Sequence, residues 1–492
     1  MYYISTRNGK TRVTGAEAIV RGIAPDGGLF VPETFPTVSA AERGSLIDMS
    51  YPERAAFIIG KFLPELKDGL GEWCEKAYSR FDGDPAPLVK IEDNYYILEL
   101  WHGPTHAFKD IALTLLPYLL TGSKKALKRE DKTLILVATS GDTGKAALEG
   151  FRDVDGTACM VFYPSGGVSR LQQLQMQTQE GDNVFVSAID GNFDDAQTAV
   201  KKVFADEGIK DNLAALGYNL SSANSINFGR LVPQIAYYFS AYADLVDGGE
   251  IEDGDKVAFA VPTGNFGNIL ACYYAMRMGL PVERLVCASN SNNVLTDFFD
   301  SGIYDMNREF QKTISPSMDI LVSSNFERLL FEISGRNASL TAERMNALKT
   351  TGKYSVSDEE LCALSEMFFA DYSTDDMTRE TIGGFFEDTG YILDPHTAVA
   401  VSAADAYVGD DAIPIVVVGT ASPYKFVGSV LEALGESVPK SEASALEKLE
   451  NITALPLPES LSELSKKAVR FGGTISKDEI GDAVIAYAKE HN

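Results

Sequence analysis

Residues 133–151, TLILVATSGDTGKAALEGF, decide the expected fold of this chain. A short apolar run of strand-forming residues ends in a turn of small and hydroxyl side chains, and an amphipathic helical pattern follows at once. The same alternation recurs at CMVFYPS (159–165) and NVFVSAID (183–190), each of which leads into a helical segment. Short buried strands that alternate with amphipathic helices predict a parallel sheet with helices on both faces.

A second series of the same kind begins near residue 256. KVAFAVP (256–262) leads through a glycine-containing turn into a helical segment, and PIVVVGT (414–420) leads into another near the end of the chain. A long helical pattern at 229–246 separates the two series. We therefore predict the α/β class, with two parallel-sheet α/β domains and a cleft between them.

The predicted units follow these two series. Residues 1–95 form a mixed N-terminal α/β unit, residues 96–240 a smaller α/β domain, and residues 241–492 a larger α/β domain. Residues 436–470 have weak patterning, and the sequence does not assign them to an element.

The composition limits the class of protein and of partner. The 492 residues contain 43 Lys and Arg against 70 Asp and Glu, a net charge of −27, which disfavours nucleic acid and anionic membranes as partners. No apolar run reaches the roughly 18 to 20 residues that span a bilayer, and the N-terminus has no signal-peptide pattern. Five scattered cysteines without CxxC spacing argue against disulfides and metal sites, so we expect a cytoplasmic protein.

The stretch HGPTHAFKD (102–110) contains a lysine in an unusual setting. Lys109 follows Phe108 and directly precedes an apolar run at 111–120. Because a buried ammonium without a partner is costly, such a lysine has either a paired carboxylate or a chemical role. Two simpler interpretations stay open at this stage: Asp110 is its partner, or the side chain reaches solvent at the start of a helix.

Three polar loops follow predicted strands: ATSGDTG (138–144), PTGNFGN (262–268) and GTASPYKF (419–426). Ligands of open α/β sheets bind at the carboxyl ends of the strands, so we expect these loops to converge. The glycines of PTGNFGN let backbone N–H groups meet at a helix N-terminus, which favours an anion such as a phosphate.

Simpler interpretations of the loops also stay open. PTGNFGN can be no more than a tight turn, and ATSGDTG can be a helix N-cap made by Ser140 or Asp142. No lysine ends PTGNFGN in Walker-A fashion and no GxGxxG follows a first strand, so a nucleoside triphosphate or a dinucleotide is disfavoured. A lysine together with a phosphate-binding loop is the requirement of a pyridoxal-phosphate enzyme.

Ordered motifs give the chain a specific resemblance. They resemble those of the threonine synthases over most of the chain, and in chain order they are GIAPDGGLFVP (22–32), HGPTHAFKD, ATSGDTG, SANSIN (222–227), PTGNFGN, DPHTAVA (394–400) and GTASPYKF. The resemblance implies the pyridoxal-phosphate fold shared with tryptophan synthase β, with the cofactor in the cleft. It also implies conversion of O-phospho-L-homoserine and water to L-threonine and phosphate, the last step of threonine biosynthesis, by a monomer or a small homo-oligomer.

The resemblance also implies roles in cofactor binding. Lys109 matches the Schiff-base lysine, and Thr420 matches the hydroxyl that faces the pyridine nitrogen. The residues that match the loop around the cofactor phosphate are Gly264, Asn265, Phe266, Gly267 and Asn268. Burial must lower the pKa of Lys109 if its amine is to move protons near neutral pH.

Substrate-binding residues follow from two other motifs. The residues that fall on the loop for the substrate carboxylate are Ser140, Asp142 and Thr143. Shorter relatives have Asn where Asp142 stands, and an ionised carboxylate cannot donate a hydrogen bond. The candidates for the substrate phosphate are Asn224, Ser225 and Arg230, with Arg170, Lys145 and Lys425 as weaker choices. A surface ion pair is the simpler interpretation of any one arginine.

The motifs also contain three histidines, and the sequence leaves two rival functions open. His102 and His106 are predicted to shape the site, whereas His396 is predicted to cap or pack, and none has metal-ligand spacing. One rival function is a phospho-lyase of the same fold that deaminates phosphorylated hydroxy-amino acids. The other is an α/β binding protein without catalytic activity.

Overall fold

The computed structural model describes residues 1–139, 141–166, 168, 170–410 and 412–491. Along these residues the strands are β1 (Tyr2–Ser5), β2 (Arg12–Thr14), β3 (Phe30–Pro32), β4 (Leu88–Glu92), β5 (Tyr95–Glu99), β6 (Lys132–Ala138), β7 (Thr157–Pro164), β8 (Val184–Asp190), β9 (Tyr218–Ser221), β10 (Val257–Pro262), β11 (Val282–Ser289), β12 (Ile303–Asp305), β13 (Lys353–Ser355), β14 (Phe368–Tyr372), β15 (Ile415–Gly419) and β16 (Thr474–Ser476).

The helices of the same residues are α1 (Gly15–Arg21), α2 (Ala40–Ser45), α3 (Tyr51–Phe62), α4 (Lys67–Tyr78), α5 (Lys109–Leu113), α6 (Leu116–Ala126), α7 (Asp142–Phe151), α8 (Arg170–Gln177), α9 (Phe193–Ala205), α10 (Glu207–Ala215), α11 (Phe228–Asp247), α12 (Gly267–Met278), α13 (Val294–Ser301), α14 (Phe326–Ile333), α15 (Ala338–Thr351), α16 (Asp358–Met367), α17 (Asp375–Thr389), α18 (Pro395–Ala406), α19 (Val427–Ala433), α20 (Glu442–Thr453), α21 (Glu459–Ser462) and α22 (Ile480–Glu490). Within the described part of the chain, none is both long enough and apolar enough to cross a bilayer.

The first predicted series forms a five-stranded parallel sheet in the order β16-β8-β7-β6-β9. Alternate residues of β6 face opposite sides: Ile135 and Val137 join the main apolar core, whereas Leu134 and Leu136 join a separate cluster with α9 and α22. Because side chains alternate along a strand, a sheet covered on both faces needs apolar residues at every position. The expected helices on both faces are confirmed.

The second series forms a six-stranded sheet in the order β14-β11-β10-β15-β5-β4. All neighbours are parallel except β4 and β5, which form an antiparallel hairpin at one edge. Phe259 and Val261 of β10 join the main core, and Ala260 joins the cluster that packs around α18. Two parallel-sheet α/β units are thus present, which confirms the predicted class.

The N-terminal unit is a three-stranded antiparallel sheet, in the order β2-β1-β3, with helices α1 to α4. The hydroxyl of Tyr3 donates to the carbonyl oxygen of Phe62, and the ring of Tyr3 packs edge-on against Phe228 of α11. Helix α3 also packs along α11. The unit is therefore joined to the main core by buried contacts.

The sheets are not continuous in the chain. β5, at the predicted boundary of 95 and 96, pairs with β15, and β16, near the C-terminus, pairs with β8 of the other sheet. The boundaries at 95 and 240 stay a prediction as domain limits, because each sheet draws strands from distant parts of the chain. Of residues 436–470, which sequence patterning leaves unassigned, α20 and α21 pack on the cluster around α18.

Candidate active site

Lys109 begins α5 and is enclosed between the two sheets. Its Nζ donates to the hydroxyl oxygen of Ser317 at 3.2 Å, lies 3.8 Å from a carboxylate oxygen of Asp142, and sits 5.4 Å from the ring centre of Phe108. The side chain is 13% exposed. The interpretation of Lys109 as a lysine whose head reaches solvent is therefore wrong.

Asp110 is not the partner of Lys109. Its carboxylate accepts the backbone N–H of Thr105 at 2.7 Å and the hydroxyl of Thr105 at 2.6 Å, and burial raises its pKa to about 6. Burial also lowers the pKa of Lys109. Within that pocket Asp142 raises the pKa of Lys109, and the positive charges of Lys425 and Arg230 lower it. Lys109 therefore loses its proton more readily than an exposed lysine does, which suits proton transfer.

Asp142 lies in the first turn of α7 and pairs with Lys425. Its Oδ1 is 2.6 Å from the Nζ of Lys425 and accepts the amide of Gln172 at 3.2 Å. Burial would raise the pKa of Asp142, but the ammoniums of Lys425 and Lys109 hold it below its usual range. The N-cap of α7 is Gly141, so the interpretation of Asp142 as the N-cap is wrong. Ser140 lies outside the described residues.

The loop Gly264 to Asn268 lies where β10 ends and α12 begins. Phe266 is the N-cap of α12 in the left-handed conformation, with φ of 61°, so the strained backbone lies at Phe266 rather than at either glycine. A Cβ added at Gly264 would lie 2.9 Å from the carbonyl oxygen of Ser317, which leaves room for glycine alone. The first turn of α12 offers N–H groups and the positive end of the helix dipole.

Asn268 leaves a buried donor free in this loop. Its Oδ1 accepts the hydroxyls of Tyr237 and Tyr238, the latter at 2.7 Å, whereas its Nδ2 has no partner among the described residues. A buried amide donor without a partner costs free energy unless a ligand accepts its hydrogen bond. The helix N-terminus and this amide together fit the phosphate of a cofactor.

A second loop, residues 323–325, holds the glycine loop in place. The hydroxyl of Ser323 donates to the carbonyl oxygen of Gly264 at 2.5 Å. The side-chain amide of Asn325 donates to the backbone carbonyl oxygen of Asn265 at 3.1 Å. The exposed side chain of Asn265 accepts the hydroxyl of Ser324 at 3.1 Å. We call residues 323–325 the clamp. The sequence pattern does not predict this contact, because the two loops are about 60 residues apart in the sequence.

Thr420 follows β15 and lies against the Lys109 loop. Its carbonyl oxygen accepts the N–H of Phe108 at 2.9 Å, and its own N–H donates to the hydroxyl of Thr397 at 3.3 Å. The N–H of Ser422 donates to the carbonyl oxygen of His106 at 3.0 Å. The backbone thus brings the Lys109, DPHTAVA and GTASPYKF motifs together.

His396 links the DPHTAVA motif to Ser317. Asp394 caps α18 and lies 2.8 Å from the Nδ1 of His396, which places the ring proton on that nitrogen. The Nε2 accepts the N–H of Ser317 at 3.1 Å. His396 packs against Phe426, as predicted, but it also holds the turn that contacts Lys109. Ser317 itself has no recognisable pattern in the sequence.

Arg230 is a buried cation in the first turn of α11. It is 5% exposed, its Nη1 donates to the carbonyl oxygen of Ala223 at 2.8 Å, and its Nε has no partner among the described residues. Burial lowers the pKa of Arg230 to about 10. A surface ion pair is therefore the wrong interpretation of this arginine. Such a guanidinium fits a dianionic ligand.

The other predicted substrate residues differ in position. Asn224 is exposed, Ser225 is half-buried with its hydroxyl 3.4 Å from that of Ser324, and Thr143 is half-buried in the first turn of α7. Arg170 is exposed at the start of α8.

Three further side chains already have partners. Lys145 lies 3.3 Å from Glu149 of the same helix, which leaves Arg230 as the better phosphate candidate. His102 lies 2.6 Å from Glu99, and His106, whose pKa burial lowers to about 3, lies 2.6 Å from Ser460.

Family models match the chain in order. The model of the threonine synthase N terminus matches residues 2–78, that of pyridoxal-phosphate dependent enzymes matches residues 82–419, and that of the threonine synthase C-terminal region matches residues 397–475. A threonine synthase of Pseudomonas aeruginosa is 42% identical over 93% of this chain and 96% of its own length. Threonine synthase-like 1 of Homo sapiens is 40% identical over 92% of this chain and 62% of its own length.

A solved structure agrees with these matches. The chain superposes on pyridoxal-phosphate-bound threonine synthase from Brucella melitensis with a TM-score of 0.90 at 37% identity, covering 99% of this chain and 100% of that chain. The fold and the site thus define an enzyme that depends on pyridoxal phosphate, which confirms the predicted cofactor. More particularly, the chain belongs to the threonine synthase family, and the predicted resemblance is confirmed.

Proposed function

We propose that the chain converts O-phospho-L-homoserine and water to L-threonine and phosphate, as the last step of threonine biosynthesis. The family supports the enzyme class. The observation that supports a phosphorylated substrate is the guanidinium of Arg230, which is buried, unpaired by any carboxylate among the described residues, and close enough to lower the pKa of Lys109. A buried cation of this kind is costly unless an anion completes it.

Residues of both sheets would hold the cofactor. The glycine loop and the amide of Asn268 would bind its phosphate, Lys109 would form the covalent link, and the hydroxyl of Thr420 would face the ring nitrogen. When bound, pyridoxal phosphate supplies an electron sink for the carbon atoms of the substrate. A hydroxyl at the ring nitrogen, unlike a carboxylate, leaves that nitrogen largely unprotonated.

Lys109 would move the protons of the reaction. Its amine is uncharged more readily than that of an exposed lysine, because burial lowers its pKa. A neutral amine can take a proton from Cα or Cβ of the substrate and return one to Cγ. The hydroxyl of Ser317, which accepts from Nζ at 3.2 Å, would keep the amine directed into the site between these transfers.

Arg230 would bind the phosphate that leaves, with Asn224 and Ser225 as polar neighbours. A net charge of −27 repels a dianion, so a local cation has to offset that repulsion. Ser140 and Thr143 stay proposals for the substrate carboxylate. Asp142 does not suit that role, because its own carboxylate is ionised and pairs with Lys425.

The products distinguish this function from its rivals. We expect purified enzyme to release threonine and phosphate in equal amounts from O-phospho-L-homoserine. A deaminating phospho-lyase would instead release ammonia with the phosphate. A visible absorbance band of the lysine–cofactor link that is lost on treatment with borohydride would exclude the binding protein without catalytic activity.

The compartment and the assembly are also proposals. We propose a cytoplasmic monomer or small homo-oligomer that acts on a small molecule. All five cysteines are free and four are buried, which suits a reducing compartment. Cell fractionation tests the compartment, and light scattering coupled to gel filtration tests the assembly; enzyme confined to an organelle fraction, or a large oligomer, would contradict the proposal.

A further inference from the structure

Asp142 and Lys425 form a buried ion pair directly beside Lys109. Oδ1 of Asp142 lies 2.6 Å from the Nζ of Lys425, and both side chains are almost completely shielded from solvent. Lys425 belongs to the 3-10 turn Pro423–Phe426, far from Asp142 in the sequence. A buried pair is costly to desolvate and adds little net stability, so its position next to Lys109 points to a role at the site.

Both members of the pair are held in one orientation. The Nζ of Lys425 also donates to the carbonyl oxygen of Thr105 at 2.8 Å, and the amide of Gln172 donates to Oδ1 of Asp142 at 3.2 Å. Oδ1 therefore has two donors. Oδ2 is left as the oxygen that faces Lys109, 3.8 Å from its Nζ.

We propose that Lys425 is a positioning residue for the reaction: it holds the Asp142 carboxylate by Oδ1 and balances its negative charge, so that Oδ2 faces the Lys109 amine. This inference rests on the proposed function of Lys109 and deepens it. Because Lys425 takes part of the charge, Asp142 can orient Lys109 without keeping it permanently protonated. Lys425 itself need not touch the substrate.

The charges that face Lys109 agree with this arrangement. Burial has the largest effect on the pKa of Lys109 and lowers it. The negative charges of Asp142 in α7 and Asp110 in α5 raise this pKa. The positive charges of Lys425 and of Arg230, which lies in α11, lower it. Removing Lys425 would leave the negative charge of Asp142 uncompensated beside Lys109. The ammonium form of Lys109 would then gain stability, and its pKa would rise.

The remaining charges on the neighbouring helix are paired with each other. Lys145 and Glu149 of α7, which packs against α5, lie 3.3 Å apart, and Glu149 also lies 2.5 Å from Arg80. These groups are unchanged in the variants below, so a difference between variants reports on Asp142 and Lys425.

The test measures cofactor capture rather than turnover. The full chain, freed of cofactor, is mixed with pyridoxal phosphate at a series of pH values, and the visible band of the lysine–cofactor link is followed with time. Since the neutral amine reacts, the profile reports the apparent pKa of Lys109. We expect Lys425→Met to raise that pKa by about one unit, which slows capture about tenfold at a pH well below it.

Two more variants separate positioning from simple charge. Asp142→Asn should lower the apparent pKa below that of the wild type, and the double variant Asp142→Asn with Lys425→Met should fall between Asp142→Asn and the wild type. The upward shift caused by Lys425→Met should be larger when Asp142 is present. If Lys425→Met alone does not fold, the comparison of Asp142→Asn with the double variant still tests the charge of Lys425.

Lys124→Met is the matched control. Lys124 is a buried lysine that lies 2.7 Å from Asp131, away from Lys109, so its loss should reduce stability without moving the profile. An apparent pKa that is unchanged by Lys425→Met, or an upward shift of the same size in the Asp142→Asn background, would overturn the inference. Failure of the wild type to form any visible band would instead contradict the proposed role of Lys109.

Discussion

Two buried arginines, Arg328 and Arg230, differ in how fully their guanidinium groups are hydrogen-bonded to the protein. Arg328 of α14 is 0% exposed, and its three nitrogens donate to the carbonyl oxygen of Phe30 at 3.0 Å, to the side chain of Asn325 at 2.5 Å and to the carbonyl oxygen of Ile226 at 2.6 Å. Arg230 of α11 is almost as buried, yet its Nη1 donates to the carbonyl oxygen of Ala223 while its Nε has no hydrogen-bond partner among the described residues.

The two arginines are almost equally buried and differ in how many of their donors have acceptors, which agrees with a structural role for Arg328 and with the proposed ligand-binding role of Arg230. Burial lowers the pKa of both. Arg328 uses its donors to join the N-terminal sheet, the clamp at 323–325 and the loop before α11. Arg230 has a buried donor without an acceptor, which costs free energy unless a bound anion accepts its hydrogen bond.

The largest effect separates Lys109 from a lysine with a structural role. Lys109→Ala should abolish threonine formation in a protein that stays folded, because only a primary amine can form the link to the cofactor and move the protons. Lys124→Met should retain turnover and lose stability, since it leaves Asp131 without its buried partner. Product assays and circular dichroism measure both. Substantial turnover by Lys109→Ala would remove Lys109 from the central role.

The next effect tests the structural arginine. Arg328→Met leaves three buried acceptors without donors, so the free energy of unfolding should fall by about 3 kcal/mol or more. Chemical denaturation followed by fluorescence measures this loss. The KM of the folded fraction should change little. A stable variant with a greatly raised KM would mean that Arg328, rather than Arg230, meets the substrate.

Arg230→Ala should produce the reverse pattern. Charge-assisted hydrogen bonds contribute roughly 1.5 to 3 kcal/mol each, so KM for O-phospho-L-homoserine should rise on the order of ten- to a hundredfold. The free energy of unfolding and the cofactor band should stay close to those of the wild type.

An uncharged homoserine analogue is the control for Arg230. If the guanidinium binds the phosphate, Arg230→Ala loses affinity for the phosphorylated substrate and little for the analogue. Equal losses would assign Arg230 a structural role like that of Arg328, and the contrast between the two regions would fail.

The smallest effect concerns the loop for the cofactor phosphate. Gly264→Ala places a Cβ 2.9 Å from the carbonyl oxygen of Ser317, so the turn must shift and the affinity for pyridoxal phosphate should fall on the order of tenfold. In Gly267→Ala the nearest atom is the Nδ2 of Asn325 at 3.4 Å, an ordinary contact, so the affinity should change less than about twofold. Cofactor titration compares the two, and equal losses would contradict the distinction.

Much of the fold could be predicted from local pattern. β6 and α7 lie where the run at 133–151 predicts them, and β10 and α12 flank the predicted glycine loop, because strand and helix periodicity is a property of consecutive residues. Lys109 can also be recognised from local sequence, because a lysine directly before an apolar run is unusual in any fold. Thr420 and the glycine loop follow from resemblance in short motifs.

Only the tertiary structure decided which distant groups meet. β16 pairs with β8, Ser317 contacts Lys109, and Lys425 pairs with Asp142. Arg328 likewise donates to the carbonyl oxygen of Ile226, which is distant in the sequence. The sequence by itself predicted the two βα series, and it singled out Lys109 and the glycine loop without deciding between their chemical and structural interpretations. It did not determine these pairings, because each is set by how whole sheets and helices pack, and the free energy of a buried charge depends on neighbours that no local pattern names.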